Sequence, residues 1–374
     1  MVKPIMAILT ESIRRDNHLP LKNFDKIKIV HFYQSAPYND MTKDELTSCI
    51  RYNNVFDLYS KLKELKPNII QGAEPYGSKK MFLLSITAYL ISKRLKIPLI
   101  FPFWENVSPK TKFNLIQRLI VNWFLKLYVR QSTLVIYLNE GARINLINAG
   151  ANNDKITKFL WGTWGVDVGL FRPNSKFKIQ NSKLKTILFG GRLDYEKGIT
   201  YLLPAYLEVR KKIKNVKLVL IGGGKLIDWA KEFVTKHHLE NEVTFTGLIK
   251  TKNLPNYFNE ADVFTCPAVS TNWWQEQVGM INLQAMSSGV PIVSTISGAI
   301  SEYVPNNLVG KLVKEKDSNK LAQALLSILS DDKLRLKMSI LAREFAIKNY
   351  DDKKNITKAQ NIIMEILDDN KTIK

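Results

Sequence analysis

A short segment near residue 280 contains residue types that could bind a phosphorylated sugar. It runs from Glu276 through Val278-Gly279-Met280 into a short helical pattern. The Glu276 carboxylate can accept hydrogen bonds from hydroxyl groups, and the lack of a side chain at Gly279 lets a ligand approach the backbone. The helix predicted to start near Ile281 would direct its unpaired N–H groups at that ligand, and such a terminus favours anions. This order of residues therefore predicts a sugar phosphate site.

Two further segments place glycines or cations directly after apolar runs. In Phe189-Gly190-Gly191-Arg192 the glycines free the backbone, and Lys197 follows five positions after Arg192. Arg192 could bind a diphosphate through two hydrogen bonds, and Lys197 would add a compact positive charge. The second segment, Gly222-Gly223-Gly224, also ends an apolar run but fits neither the dinucleotide fingerprint nor the P-loop. For both segments the alternative interpretation is a structural turn.

The periodicity along the chain predicts an α/β fold. Short apolar runs alternate with longer helical patterns, which is typical of βα units around parallel sheets. In such sheets ligands bind beyond the carboxyl ends of the strands. We predict strands at Pro4–Leu9, Ile27–Tyr33, Asn68–Gln71, Pro98–Pro102, Thr133–Leu138, Thr186–Phe189, Lys217–Ile221, Glu242–Phe245, Val263–Cys266 and Pro291–Ser294.

The length of 374 residues is too great for one ordinary core and predicts two domains. A polar, proline-containing stretch after Gly165 separates two halves of similar pattern. We predict an N-terminal Rossmann-like domain over residues 1–175, a second over 176–350, and a C-terminal helix over 351–374 that packs back on the first. Two doubly wound domains that face each other would form a central cleft, with the reaction between them.

The composition limits the classes of partner. The net charge is +21 and is spread over both halves, which favours nucleotides, anionic lipid surfaces or nucleic acid, unless it only reflects a lysine-rich proteome. The two cysteines and four histidines show no metal-ligand spacing, and no Asp-x-Asp occurs, so we expect neither disulfides nor a bound metal. No apolar run approaches the ~20 residues that span a bilayer. We expect a cytoplasmic protein that could lie peripherally on the inner face of the cell membrane.

Together these segments resemble family 4 glycosyltransferases, which have the GT-B fold. The family's linker signature appears as Gly165-Val-Asp167-Val-Gly-Leu-Phe171-Arg-Pro173, and its Gly-Arg…Lys-Gly pattern as Gly191-Arg192…Lys197-Gly198. The glycines at 222–224 and the stretch Val243-Thr-Phe-Thr-Gly247 also look like the family. The resemblance implies retaining transfer of a hexose from a UDP- or GDP-sugar to a glycan or lipid-linked acceptor, with no cofactor besides the nucleotide-sugar substrate.

The resemblance also implies roles for individual residues. Arg192 and Lys197 would bind the donor diphosphate and stabilise the leaving group, and Glu276 would contact the donor sugar. The position that bonds the ribose is usually glutamate in the family and is Gln284 here. Because an amide forms weaker hydrogen bonds to hydroxyls than a carboxylate does, we expect weaker or altered nucleotide binding. The implied donor-binding residues are Gly191, Gly223, Gly247, Val278, Gly279, Met280 and Gln284.

The N-terminal half departs from the family pattern. Where the family often has a glycine-rich loop after the first strand, this chain contains Arg14 and Arg15. Where the family often has a histidine after a middle strand, this chain has Glu105, which could face the reacting sugar as a catalytic residue or could instead cap the following segment. Arg14, Arg15 and Glu74 are acceptor-side candidates.

Residues 109–131 form a helical pattern with an unusually wide apolar face. No acidic residue occurs between Glu105 and Glu140. Either the helix packs on several sides, or it contacts an anionic membrane through aromatic and basic side chains, which would bring the enzyme to a lipid-linked acceptor. A narrow polar stripe recurs every four residues, at Asn114, Arg118, Asn122, Lys126 and Arg130.

Charge suggests rival functions, a basic nucleic-acid-binding protein or a DNA-modifying glycosyltransferase. The chain has no recognised nucleic-acid-binding module and its basic residues are not grouped beside aromatic ones, so nucleic acid is the weaker interpretation. A GT-B-like epimerase or phosphorylase is the other alternative.

Overall fold

Two separate sheets divide the chain into two units. The computed structural model describes residues 2–36, 41–174 and 184–372. Unit 1 comprises Met1–Trp164 and Asp352–Lys374, and unit 2 comprises Gly165–Asp351. The predicted boundary at residues 175 and 176 lies outside the described residues.

The linker signature belongs to unit 2 because its backbone is bonded there. The Val166 N–H donates to the Tyr350 carbonyl at 2.7 Å. The Arg343 guanidinium donates to the carbonyls of Val168 and Phe171 at 2.9 and 2.8 Å. A guanidinium carries five donors in a fixed plane, which suits it to bridge several carbonyls at once. The chain therefore divides before the linker rather than after it.

Unit 1 contains a seven-stranded sheet in which all neighbouring strands are parallel. Its strands are β1 (Ile5–Thr10), β2 (Lys28–Tyr33), β3 (Cys49–Arg51), β4 (Ile69–Gln71), β5 (Leu99–Phe103), β6 (Leu134–Tyr137) and β7 (Ile156–Lys158). Their order in the sheet is β3-β2-β1-β4-β5-β6-β7. The helices between them are α1 (Arg15–His18), α2 (Val55–Leu65), α3 (Lys79–Leu95), α4 (Pro109–Lys112), α5 (Leu115–Gln131) and α6 (Glu140–Asn148).

Unit 2 contains a six-stranded parallel sheet. Its strands are β8 (Lys185–Gly190), β9 (Val216–Ile221), β10 (Val243–Gly247), β11 (Val263–Cys266), β12 (Ile292–Thr295) and β13 (Gly310–Val313). Their order is β10-β9-β8-β11-β12-β13. The helices are α7 (Ile199–Lys212), α8 (Ile227–Lys236), α9 (Leu254–Glu260), α10 (Met280–Ser287), α11 (Ile300–Tyr303), α12 (Ser318–Leu329) and α13 (Asp332–Asn349).

The last helix, α14 (Asp352–Thr372), returns to unit 1 and covers one face of its sheet. Along β1, Met6 and Ile8 belong to the apolar cluster that α14 completes with Ile356 and Ile363. The intervening residues of β1 belong to the cluster on the opposite face, to which α3 and α5 contribute. Because helices cover both faces of a parallel sheet, its strands are apolar without alternation, which is why the short apolar runs predicted them.

Each sheet has a switch point, where neighbouring strands lead into connections on opposite sides. In unit 2 these neighbours are β8 and β11, which end at Gly190 and Cys266. In unit 1 they are β1 and β4, which end at Thr10 and Gln71. Doubly wound sheets bind ligands in the crevice beyond the carboxyl ends of such strands. The segment after Gly190 and the loop after Cys266 therefore begin where a ligand of unit 2 is expected.

The helical pattern at residues 109–131 forms two helices, α4 and α5. The helix α5 begins with a capping box, in which the Asn114 side chain accepts from the Gln117 N–H at 2.9 Å and the Gln117 side chain accepts from the Asn114 N–H. One face packs on α3, with the ring centroids of Phe124 and Phe82 5.4 Å apart. Among the described residues, no helix combines the length and apolar character that crossing a membrane requires.

Candidate functional site

The turns after β8 and β9 are joined through their backbones. The Gly191 N–H donates to the Ile221 carbonyl at 3.0 Å, and the Leu193 N–H donates to the Gly223 carbonyl at 3.0 Å. At Gly222 the φ angle is +124°, and a Cβ there would lie 2.0 Å from the Gly191 carbonyl oxygen. Only glycine fits this close approach. The first two predicted segments are thus parts of one surface.

The third predicted segment meets the first through an ion pair. The Lys197 Nζ lies 2.6 Å from Glu276 Oε2, and the two side chains are only 17% and 13% exposed. The Trp274 ring covers the same ammonium, with its centroid 4.7 Å from Nζ. Lys197 follows β8 and Glu276 follows β11, so the pair lies at the switch point of unit 2.

The ion pair keeps Lys197 charged despite its burial. Burial by itself lowers the pKa of Lys197, but the charge and hydrogen bond of Glu276 outweigh that effect and the net pKa is raised. The neighbouring Cys266 responds differently, since burial raises the pKa of its thiol to about 12. At neutral pH Lys197 is therefore an ammonium ion, and the Cys266 thiol beside it is uncharged.

The Arg192 guanidinium is open to a ligand. Its side chain is 60% exposed, and its contact with a charged group is a 3.5 Å approach of Nε to Asp194 Oδ2. Asp194 is itself fixed, since Oδ1 accepts from the Lys225 N–H at 2.7 Å. Asp194 thus orients the Arg192 side chain, a role that the sequence did not reveal.

The helix α10 completes this edge of the sheet. Gly279 precedes it with a φ of +75°, a conformation that side chains rarely adopt. The Asn282 N–H donates to the Gly279 carbonyl at 2.8 Å, which leaves the Met280 and Ile281 N–H groups without an acceptor inside the helix. The Ile281 side chain packs on Gly190, where a Cβ would lie within van der Waals radii of it. Gln284 is half-buried, and no hydrogen-bond partner of its amide occurs among the described residues.

The remaining predicted donor-side residues surround the same edge. A Cβ added at Gly223 or Gly247 would meet open space, so both backbones are accessible. Val278 is buried and Met280 is half-buried beside the ion pair's loop. Their donor-binding role remains a prediction.

The loop that carries Glu276 is anchored to Glu315, which follows strand β13. The Ser270 hydroxyl donates to Glu315 Oε1 at 2.6 Å, and the Ser270 N–H donates to Oε2 at 2.7 Å. The next residue closes a turn, since the Thr271 N–H donates to the Trp274 carbonyl at 2.8 Å. Sequence reasoning missed these residues because Ser270 and Glu315 are 45 positions apart.

The predicted residues of unit 1 form a separate buried cluster. Glu74 is fully buried, and its Oε1 accepts from the Trp104 and Glu105 N–H groups at 3.1 and 2.7 Å. Glu105 is also buried; its Oε1 accepts from the Val107 N–H at 2.9 Å and its Oε2 binds the Lys112 ammonium. These are the contacts that the capping alternative for Glu105 predicts, and its catalytic role stays a prediction.

The two arginines near the N-terminus differ in accessibility. Arg15 donates from Nε and Nη2 to Glu45 Oε1 at 3.0 and 2.8 Å, so its charge is compensated within unit 1. Arg14 is exposed at the start of α1. Their predicted acceptor-side role, like that of Glu74, is a hypothesis that these contacts leave open.

The cluster generates a prediction about pH and stability. Burial, and then the nearby Glu105 charge, raise the pKa of Glu74 well above its ordinary value of 4.5, and its Oε2 has no hydrogen-bond partner. Above about pH 4.5 the folded protein therefore holds a proton on Glu74 that the unfolded chain releases. Binding of this proton favours the folded state at low pH, and that contribution to the free energy of unfolding is lost as the pH rises above about 4.5. The Glu74→Gln side chain mimics the protonated carboxyl. As the pH rises, the free energy of unfolding of this variant should therefore exceed that of the wild type by about 1.4 kcal/mol more for each pH unit.

Urea unfolding between pH 5 and 7 would measure this difference. The exposed Glu64→Gln is the matched control and should show no such trend. A constant difference between Glu74→Gln and wild type across this range would contradict a protonated Glu74.

Comparisons with known proteins bear on what this site is for. A family model of glycosyl transferases group 1 matches residues 171–345. A GDP-mannose-dependent alpha-(1-6)-phosphatidylinositol monomannoside mannosyltransferase of Mycobacterium tuberculosis is 29% identical over 50% of this chain and 50% of its own length. An alpha-monoglucosyldiacylglycerol synthase of Streptococcus pneumoniae is 27% identical over 66% of this chain and 57% of its own. The chain thus spans about half the length of these curated relatives.

A solved structure supports the fold over the whole chain. The crystal structure of Anabaena HepE in complex with UDP superimposes with a TM-score of 0.79, covers 97% of this chain and 100% of its own, and is 17% identical. That likeness confirms the predicted GT-B fold of two Rossmann-like domains. The family match lies on the unit whose switch point carries Arg192, Lys197 and Glu276. Residues 171–345 of this chain are thus similar to glycosyl transferases group 1.

Proposed function

We propose that the protein is a retaining glycosyltransferase that moves a hexose from a UDP- or GDP-sugar to a glycan or lipid-linked acceptor without a metal ion. One observation carries this proposal. An open arginine, a buried lysine–glutamate pair and the start of α10 meet at the switch point of unit 2, at Arg192, Lys197, Glu276 and Gly279. The family match and the named relatives support the same class of reaction.

The proposed roles follow from charge. As the bond between sugar and diphosphate breaks, negative charge grows on the leaving phosphate, and preorganised cations and N–H groups stabilise it. Arg192 and the Met280 and Ile281 N–H groups at the start of α10 would do so, and Lys197 retains ammonium protons beyond the one that bonds Glu276. The Glu276 carboxylate would bond sugar hydroxyls, and Gln284 would bond the ribose through its unpaired amide.

Fixed cations support a metal-independent reaction. The chain contains no Asp-x-Asp segment that would hold a diphosphate through a metal, and Arg192 and Lys197 supply positive charge in its place. Transfer activity should therefore persist in EDTA. The anomeric configuration of the product, determined by NMR, tests retention.

A substitution at Arg192 tests the site. Arg192→Ala should lower transfer by about 100-fold or more, because an oriented donor to the developing charge is lost, while the protein stays folded because the side chain is largely exposed. Activity would be measured with the nucleotide sugar that gives the largest thermal shift in a screen of UDP- and GDP-sugars. The control is Arg172→Ala, an exposed arginine of the same unit. Wild-type turnover in Arg192→Ala would refute the assignment.

We further propose that the acceptor is lipid-linked and that residues 109–131 contact the inner face of the cell membrane. The α5 side opposite its packed face exposes a large apolar surface, and α3 exposes leucines as well. The stretch between Glu105 and Glu140 carries basic but no acidic residues, which suits an anionic headgroup layer. The relatives named above support a lipid acceptor. The exposed apolar side chains are Leu83, Leu90, Leu115, Ile116, Leu119, Ile120 and Trp123.

Liposome co-sedimentation tests the membrane contact. At low salt the protein should bind vesicles that contain phosphatidylglycerol and should bind pure phosphatidylcholine vesicles far less. The double variant Ile116→Ser/Trp123→Ser should lose most of the binding, because it removes two exposed apolar side chains without opening the core. The matched control Leu336→Ser/Ile340→Ser alters exposed apolar residues of α13. Equal binding by both double variants would exclude α5 as the contact.

A further inference from the structure

Lys197 has a second partner that the proposed mechanism does not use. Its ammonium lies between the Glu276 carboxylate, 2.6 Å away, and the face of the Trp274 ring, whose centroid is 4.7 Å away. An aromatic face carries partial negative charge and attracts a cation, and the attraction is stronger where water is excluded. The Lys197 side chain is 17% exposed, so this contact is largely desolvated.

The ring of Trp274 is held in place by its own loop. The main-chain N–H of Trp274 donates to the Thr271 hydroxyl at 3.1 Å, and the main-chain carbonyl of Trp274 accepts from the Thr271 N–H at 2.8 Å. The adjacent Ser270 is bonded to Glu315 through both its N–H and its hydroxyl. These bonds fix the backbone of Trp274, and its half-buried indole lies against the Lys197 ammonium. Its neighbour Trp273 is 64% exposed, which makes it a natural control.

A single carboxylate partner does not fix the directions of all three N–H groups of a lysine ammonium. An ammonium has three N–H groups on a flexible stem, and Glu276 fixes one of them. The Trp274 ring on a second side of the ammonium limits the directions of the remaining N–H groups and excludes water that would compete for them. A ligand phosphate then meets donors that are already oriented, which lowers the entropy cost of binding.

We propose that Trp274 is a positioning residue that directs the Lys197 ammonium toward the sugar-proximal phosphate of the donor. This inference rests on the proposed function, in which Glu276 contacts the donor sugar and Lys197 beside it lies at the sugar end of the diphosphate. Trp274 therefore favours ligands that carry the second phosphate. It contributes to recognition of the diphosphate rather than of the base.

The test compares two variants that keep an apolar side chain at position 274. Trp274→Phe retains an aromatic face, and Trp274→Leu retains apolar bulk without one. Binding of UDP, UMP, GDP and GMP would be measured by calorimetry, with thermal unfolding as the check on folding. Trp274→Leu should weaken binding of the preferred diphosphate by roughly 10-fold and leave the matching monophosphate within about 2-fold of wild type. Trp274→Phe should retain most of the affinity, and Trp273→Ala should match wild type.

The outcomes separate the two proposals. If neither UDP nor GDP binds the wild-type protein, the proposed function fails, and the inference fails with it. If a diphosphate binds and the leucine and phenylalanine variants behave alike, the aromatic face has no role and the positioning proposal is overturned while the function stands. Equal weakening of diphosphate and monophosphate would show that Trp274 only supports the fold of the loop.

Discussion

The ion pair between Lys197 and Glu276 is the interaction on which the arrangement of the candidate site depends. The two residues are 79 positions apart and follow the two strands that flank the switch point of unit 2. Their pairing joins the turn after β8 to the loop after β11. Burying either charge alone would be costly, because desolvation penalises an unpaired ion. Each residue therefore stabilises the charged state of the other, and the loop is fixed where that pairing is made.

The surrounding contacts restrict the movement of the Lys197–Glu276 pair and leave hydrogen-bond donors accessible to a ligand. Behind it, the neutral Cys266 thiol, the Trp274 ring and the Ser270–Glu315 hydrogen bonds limit movement. In front, Arg192 and the start of α10 have donors to spare. Such preorganised donors reorganise little when charge develops, which is the usual basis of electrostatic stabilisation in enzymes.

Unit 1 shows how the same topology gives a different outcome. The loops after its neighbouring strands β4 and β5 also bring two carboxylates close together, but Glu74 and Glu105 are buried and bonded to backbone N–H groups and to Lys112. Burial, and then the nearby Glu105 charge, raise the pKa of Glu74, which favours its protonated form. These acids hold the loops after β4 and β5 together. A carboxylate after a parallel strand is thus not sufficient to indicate catalysis, since its partners decide its role.

The sequence by itself determined the α/β class, ten of the thirteen observed strands and the three glycine-rich or acidic segments of unit 2. Central parallel strands are apolar throughout, and glycines mark close backbone approaches, so both leave local patterns. The three missed strands, β3, β7 and β13, lie at sheet edges, are short and contain charged residues or a glycine, so their pattern is weak. Only the tertiary structure decided that Lys197 pairs with Glu276, that the Trp274 ring covers the Lys197 ammonium, and that Glu105 bonds the Val107 N–H and Lys112. These contacts join residues distant in sequence, and no local periodicity records which distant side chains meet.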